Sequence, residues 1–125
     1  IFSNANDVAV MMQLFLNNGK YGGVQYIDSL TLLNCTQCQY DGNRRGVGFD
    51  RPETNPVKES PVCACVSDQS FGHTGFTGTL AWADPKNQTV YVFLSNRVYP
   101  DADENKLAKS GIRTKIQEII YHALK

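Results

Sequence analysis

Apolar residues recur at helical intervals near the start of the chain, where Val8, Met11, Met12, Phe15 and Leu16 mark one face. Ser3-Asn4-Ala5-Asn6-Asp7 places capping side chains and an early negative charge before that face, and Asn17-Asn18-Gly19 supplies a stop after it. The pattern predicts an amphipathic helix over residues 4–18, with the Met11–Met12 pair as core filling. Gly22-Gly23 then predicts a tight hairpin-like link, and Asp28-Ser29 caps a short second helix through about Leu33. From Asn34 to Ser70 the periodicity fades. This stretch holds all four cysteines and three of the five prolines. Gly46-Val47-Gly48-Phe49 within it reads as a short strand and the rest as irregular chain.

Regularity returns as three strand signals, Ser70 to Thr77, Thr79 to Ala83 and Thr89 to Ser95. In the last, Val90, Val92 and Leu94 alternate with Tyr91, Phe93 and Ser95, and both sets are largely apolar, so both faces of the strand should be covered. Asp84-Pro85-Lys86-Asn87 is a turn, because Pro85 fixes φ and Asp84 and Asn87 favour bends. Links this short make consecutive strands antiparallel. Leu107, Ile112, Ile116, Ile119, Ile120, Ala123 and Leu124 mark a closing amphipathic helix, which Gly111 should kink or delay. The expected fold is α+β: an antiparallel sheet packed by a C-terminal helix. It divides into a helical subdomain part at 1–34, a cysteine-bearing irregular region with a short strand at 35–69, and strands plus the C-terminal helix at 70–125.

Composition narrows the function classes. Twelve basic residues balance twelve acidic ones, which argues against a nucleic-acid partner, and Arg44–Arg45 is too small a basic patch to change that. No apolar run is long enough to cross a bilayer. The chain starts at Ile1 and a helix signal follows almost at once. It reads as a piece of something longer, with any export signal lying elsewhere.

Candidate chemistry concentrates in Phe71-Gly72-His73-Thr74-Gly75-Phe76-Thr77-Gly78-Thr79. Glycines on a strand let a ligand or another backbone come close. Three threonine hydroxyls and one imidazole beside them suit a carbonyl or carboxylate. Tight strand packing alone would also explain such a segment. The cysteines fall in two close pairs, Cys35-x-x-Cys38 and Cys63-x-Cys65, open to disulfides, free thiols or a structural zinc. Asp101, Asp103 and Glu104 form a sparse acidic loop, and His122 reads as a surface residue at a helix end.

His73-Thr74-Gly75, on a strand that opens a meander ending before a C-terminal helix, resembles the third conserved box of the serine β-lactamase and penicillin-binding-protein superfamily, which reads Lys-Thr-Gly or His-Thr-Gly. Phe2-Ser3-Asn4-Ala5-Asn6-Asp7 and the helix after it resemble the helical subdomain of class C enzymes and related esterases. Gly46-Val47-Gly48-Phe49 resembles the strand before the box, and Val92-Phe93-Leu94-Ser95-Asn96-Arg97 the last strand of the sheet. Similar tails occur where a family-3 glycoside hydrolase precedes a β-lactamase-like domain.

The resemblance implies a β-lactamase/transpeptidase-like fold and acyl transfer on ester, amide or β-lactam substrates, including peptidoglycan-like ones, without a cofactor. It places the protein in a periplasmic or other extracytoplasmic setting. It implies substrate-binding roles for His73, Thr74 and Gly75, and an oxyanion-donor role for the backbone N–H of Phe76. Its nucleophile sits in Ser-x-x-Lys, assisted by Tyr-x-Asn. No serine here has lysine three positions on, and no tyrosine has asparagine two positions on, so no catalytic residue is assigned and the chain alone is expected to be inactive. The alternative is a non-catalytic binding or accessory module of the same fold, stabilised by zinc or disulfides. A chain lacking the other strands of such a sheet should also expose an edge and self-associate.

Overall fold

The computed structural model describes residues 1–124; Lys125, which closes the third sequence segment, lies outside the described residues. Helix α1 spans Ala5–Leu16 and is capped as its sequence predicts, the Asn4 side chain accepting from the Asp7 N–H at 3.0 Å. Its end is closed by a bond from the Gly19 N–H to the Leu14 carbonyl at 2.9 Å. Strands β1 (Lys20–Tyr21) and β2 (Val24–Gln25) form the expected hairpin about Gly22-Gly23. Asp28 caps α2, Ser29–Thr36, which runs three residues beyond the expected end.

Strands β3 (Phe71–Thr74), β4 (Leu80–Asp84) and β5 (Thr89–Phe93) form one antiparallel sheet in the order β3-β4-β5. The register pairs Phe71 with Ala83, His73 with Ala81, and Ala83 with Val90. Side chains alternate between faces. On one face Phe71, Ala81, Ala83 and Val90 meet Val8, Met12, Phe15 and Leu16 of α1. On the other, Leu80, Trp82 and Tyr91 meet Val62, Val66 and Ile116. The sheet is thus sandwiched between α1 and the C-terminal helix. Gly72 is required at its position because a Cβ there would enter the Trp82 ring and the Ala81 carbonyl.

Three expectations need correction. Gly46–Phe49 is a turn, not a strand. It links Arg45 to Asp50, which bridge each other, and Asp50 in turn bridges Gly72 on the outer edge of β3. The turn delivers Phe49 into the core, where its ring stands edge-on to Phe15 and Phe71 at 5.1 and 5.3 Å. Of the methionine pair only Met12 is core, since Met11 is more than half exposed. The closing helix is split at Gly111, which sits at φ +61° between α3 (Lys106–Ser110) and α4 (Ile112–Ala123). That break matches the expectation, but α4 is rotated from its apolar stripe. It buries Gln117 and Tyr121 and leaves Ile119 exposed.

The rotation has a polar cause. Tyr121 Oη donates to Asp84 Oδ2 at 2.9 Å, and Gln117 Oε1 accepts from the Cys63 N–H at 3.0 Å. Asp84 is fully buried and also accepts from the Ser67 N–H at 2.8 Å, the Ser67 hydroxyl at 2.6 Å and the Asn87 amide at 2.8 Å. Burial alone would push this carboxyl up. The surrounding donors outweigh burial and hold it below the usual carboxylate range.

Candidate functional site

The open end of β3 carries the candidate site. His73 follows buried Phe71 and Gly72 and is exposed, on the α1 face. Its Nδ1 lies 2.6 Å from the Thr74 carbonyl oxygen. A carbonyl can only accept, so Nδ1 carries the proton and Nε2 is the pole left for a ligand. Thr74 is half-buried and ends the strand. His73 lines a mostly apolar cleft of about 520 Å³ with Ile1, Phe2, Val8, Thr79 and Leu94.

Beyond Thr74 the chain turns sharply. The Gly75 N–H donates to the Thr79 carbonyl at 2.8 Å, and the Gly78 N–H to the Gly75 carbonyl at 2.9 Å. A Cβ at Gly75 would collide with the Thr79 hydroxyl. Phe76 stands at the tip, three-quarters exposed, and its N–H donates to no acceptor among the described residues. His73, Thr74 and Gly75 line that one cleft, and Phe76 follows them at the exposed tip of the turn.

Sequence reasoning missed the residues that brace this turn. Arg97 Nε donates to the Phe76 carbonyl at 2.8 Å, and its guanidinium lies 4.5 Å from the centre of the Phe76 ring. Arg113 Nη1 donates to the Gly78 and Thr79 carbonyls at 3.1 and 3.3 Å. Burial lowers the pKa of Arg113, and Tyr91 opposes that shift. An arginine just past a last strand was the available signal for Arg97, but nothing in the sequence says which turn it reaches.

The cysteines do not join this site. Cys63 and Cys65 are disulfide-bonded to each other, with Cα atoms 5.3 Å apart. Cys35 and Cys38 are free thiols. Among the described residues no three His, Cys, Asp or Glu side chains gather where they could hold a metal ion. The Cys63–Cys65 pair is thus bridged within itself, and Cys35 and Cys38 sit apart from it at the end of α2. In the acidic loop, Glu104 lies 3.8 Å from Lys106. His122 is exposed beside Glu118 at 3.8 Å, as a surface residue should be. Among the described residues no helix is long and apolar enough to cross a membrane.

Comparison with known proteins gives one consistent answer. The profile of the family described as Beta-lactamase matches residues 1–113. A protein of Escherichia coli K12 that bears the provisional name D-alanyl-D-alanine carboxypeptidase is 38% identical over 107 residues, covering 85% of this chain and 24% of that protein. One of the same name from Salmonella typhi is 38% identical over 97 residues, covering 78% of this chain and 22% of that protein. The chain therefore spans about a quarter of the length of the curated relatives it matches. A β-lactamase crystal structure from Mycobacterium bovis superposes with a TM-score of 0.68 at 23% identity, over 95% of this chain and 44% of that one.

Proposed function

This chain belongs to the β-lactamase family, and on that premise we propose that it forms the substrate-facing wall of an acyl-transfer site. The observation that carries the reading is that His73, Thr74 and Gly75 line one cleft and that the N–H next in the chain, that of Phe76, meets no acceptor among the described residues. A carbonyl oxygen that gains negative charge during acyl transfer needs such a preorganised donor. In this reading Phe76 supplies one oxyanion N–H, Thr74 hydrogen-bonds the substrate, and Gly75 leaves room for its backbone. His73 meets the substrate through Nε2, because Nδ1 is committed to the Thr74 carbonyl.

The nucleophile and its base would come from a Ser-x-x-Lys and a Tyr-x-Asn outside these residues. Residues 1–34 would then be the part of a helical subdomain nearest the sheet, 35–69 the connection, and 70–125 the substrate strand with its support. A histidine in place of lysine is a less dependable cation at neutral pH. The reading accordingly favours ester or D-peptide hydrolysis over recognition of a penicillin carboxylate.

The test is to read the coding sequence upstream of Ile1. Ser-x-x-Lys followed by Tyr-x-Asn in frame supports the reading. A serine-directed fluorophosphonate should then label that longer protein and leave residues 1–125 alone unlabelled. His73→Ala and Thr74→Ala should each slow its hydrolysis of a D-alanyl-D-alanine peptide at least about tenfold. Absence of both motifs would overturn the enzymatic reading in favour of a binding module.

A further inference from the structure

We infer that Cys35 and Cys38 form a redox-active dithiol, which a small peptide disulfide of the glutathione type closes into an intrachain bridge. The inference stands apart from the acyl-transfer reading and begins from chain geometry. Residues three apart in an extended chain hold their Cα atoms about 10 Å apart, whereas a disulfide needs about 5.5–6 Å. Two such cysteines meet only where the chain turns back, and here it does. Cys35 lies in the last turn of α2, and the Gln37 N–H still donates to the Leu33 carbonyl at 3.0 Å. The Gln39 side-chain amide then returns to the Asn34 carbonyl at 2.6 Å and the Gln37 carbonyl at 3.2 Å. A second segment holds the reversal from outside. The Gln39 N–H donates to the Arg45 carbonyl at 3.2 Å, and Gly46 lies so close that a Cβ there would meet the carbonyls of Cys35 and Gln37. Cys38 is thus kept between two residues that are both bonded to the helix end carrying Cys35.

The two sulfurs differ in access, which gives each a role. Cys38 is exposed and lines a cleft of about 610 Å³, whereas Cys35 is half-buried. The Cys38 thiolate therefore attacks first, at one sulfur of the reagent, whose S–S bond breaks and releases one peptide thiolate. The Cys35 thiolate then attacks the Cys38 sulfur, forming the intrachain bond and releasing the second peptide thiolate. The two cysteine thiol protons pass through solvent to the two leaving thiolates. The cysteines lose two electrons and the reagent gains the same two, so no other oxidant is needed. The Cys63–Cys65 pair already holds its own bridge, with Cys63 buried, so the open pair is the one left to react.

The experiment treats the native chain with oxidised glutathione and maps its thiols by alkylation and mass spectrometry. The wild type should then take up no alkyl group before reduction, and the peptide spanning Cys35 and Cys38 should be lighter by two hydrogens. Cys35→Ser should stop with one glutathione on Cys38. Cys38→Ser should take up glutathione on Cys35 at least about tenfold more slowly. A wild type that keeps two free thiols or two glutathione groups, or that joins Cys38 to Cys63 or Cys65, overturns the inference. Equal uptake by the two variants overturns the assigned roles. The equilibrium of the bridge against reduced and oxidised glutathione should be at least about tenfold more favourable in the folded chain than in urea, because the turn already holds the pair together. A ratio of one or less overturns the role of the turn. Should a variant fail to fold, the wild-type map and this ratio decide. A missing Ser-x-x-Lys upstream would sink the enzymatic reading and leave this result standing.

Discussion

Tyr121, near the end of the last helix, donates its hydroxyl to Asp84, at the end of β4, at 2.9 Å in the interior. The contact closes the fold, because the same carboxylate also holds Ser67 and the β4–β5 turn through Asn87. It thereby supports from behind the sheet on which His73 is displayed.

Removing that hydroxyl should be felt but survivable. Tyr121→Phe leaves Asp84 its other donors and should cost about 1–2 kcal/mol in urea unfolding. Asp84→Ala strands several buried donors at once and should cost more than about 3 kcal/mol. Equal losses in the two variants would contradict the shared network.

The network also sets a pH dependence. The folded pKa of Asp84 lies below its unfolded value, so its contribution is complete above the ordinary aspartate pKa of about 3.9 and is lost as pH falls through the lower folded value. Tyr121 has the opposite sign. Its folded pKa is raised, first by burial and then by Asp84, so its contribution is complete below the ordinary tyrosine pKa and is lost as pH rises through the folded value. Urea midpoints against pH should fall on the acid side in the wild type and be flatter there in Asp84→Asn. Parallel acid limbs would remove Asp84 from the account.

Gly72→Ala should destabilise by about 1–3 kcal/mol, since the new methyl group has only the Trp82 ring and the Ala81 carbonyl to enter. The near-ultraviolet circular dichroism of the single tryptophan reports the displacement. An unchanged spectrum and midpoint would mean that β3 and β4 can separate without cost.

Alkylation under denaturing, non-reducing conditions should add two groups, at Cys35 and Cys38, and four after reduction. Peptide mapping that finds Cys63 or Cys65 joined to Cys35 or Cys38 would replace the pairing described above.

The outer edge of β5 has no strand partner among the described residues. Sedimentation should show self-association that strengthens with concentration, the open N–H and C=O row pairing with another copy. A strict monomer at high concentration would show that the edge is protected by its twist or its side chains.

Local chemistry made much of this legible in advance. The Asn4 cap, the hairpin at Gly22-Gly23, the three-strand order and the break at Gly111 each depend on neighbours in sequence, and His73-Thr74-Gly75 together with the order and spacing of the elements around it announced the family. Tertiary structure decided what depends on distant partners. Phe49 became core because its ring fits between Phe15 and Phe71, so Gly46–Phe49 turns instead of extending. The last helix kept Ile116 inside but left Ile119 outside, because buried Asp84 and the Cys63 N–H needed Tyr121 and Gln117. Arg97 reached Phe76 across 21 positions. Spacing along a chain carries information about one face of one element, whereas the pairing of a buried donor with its acceptor is settled only when the elements meet.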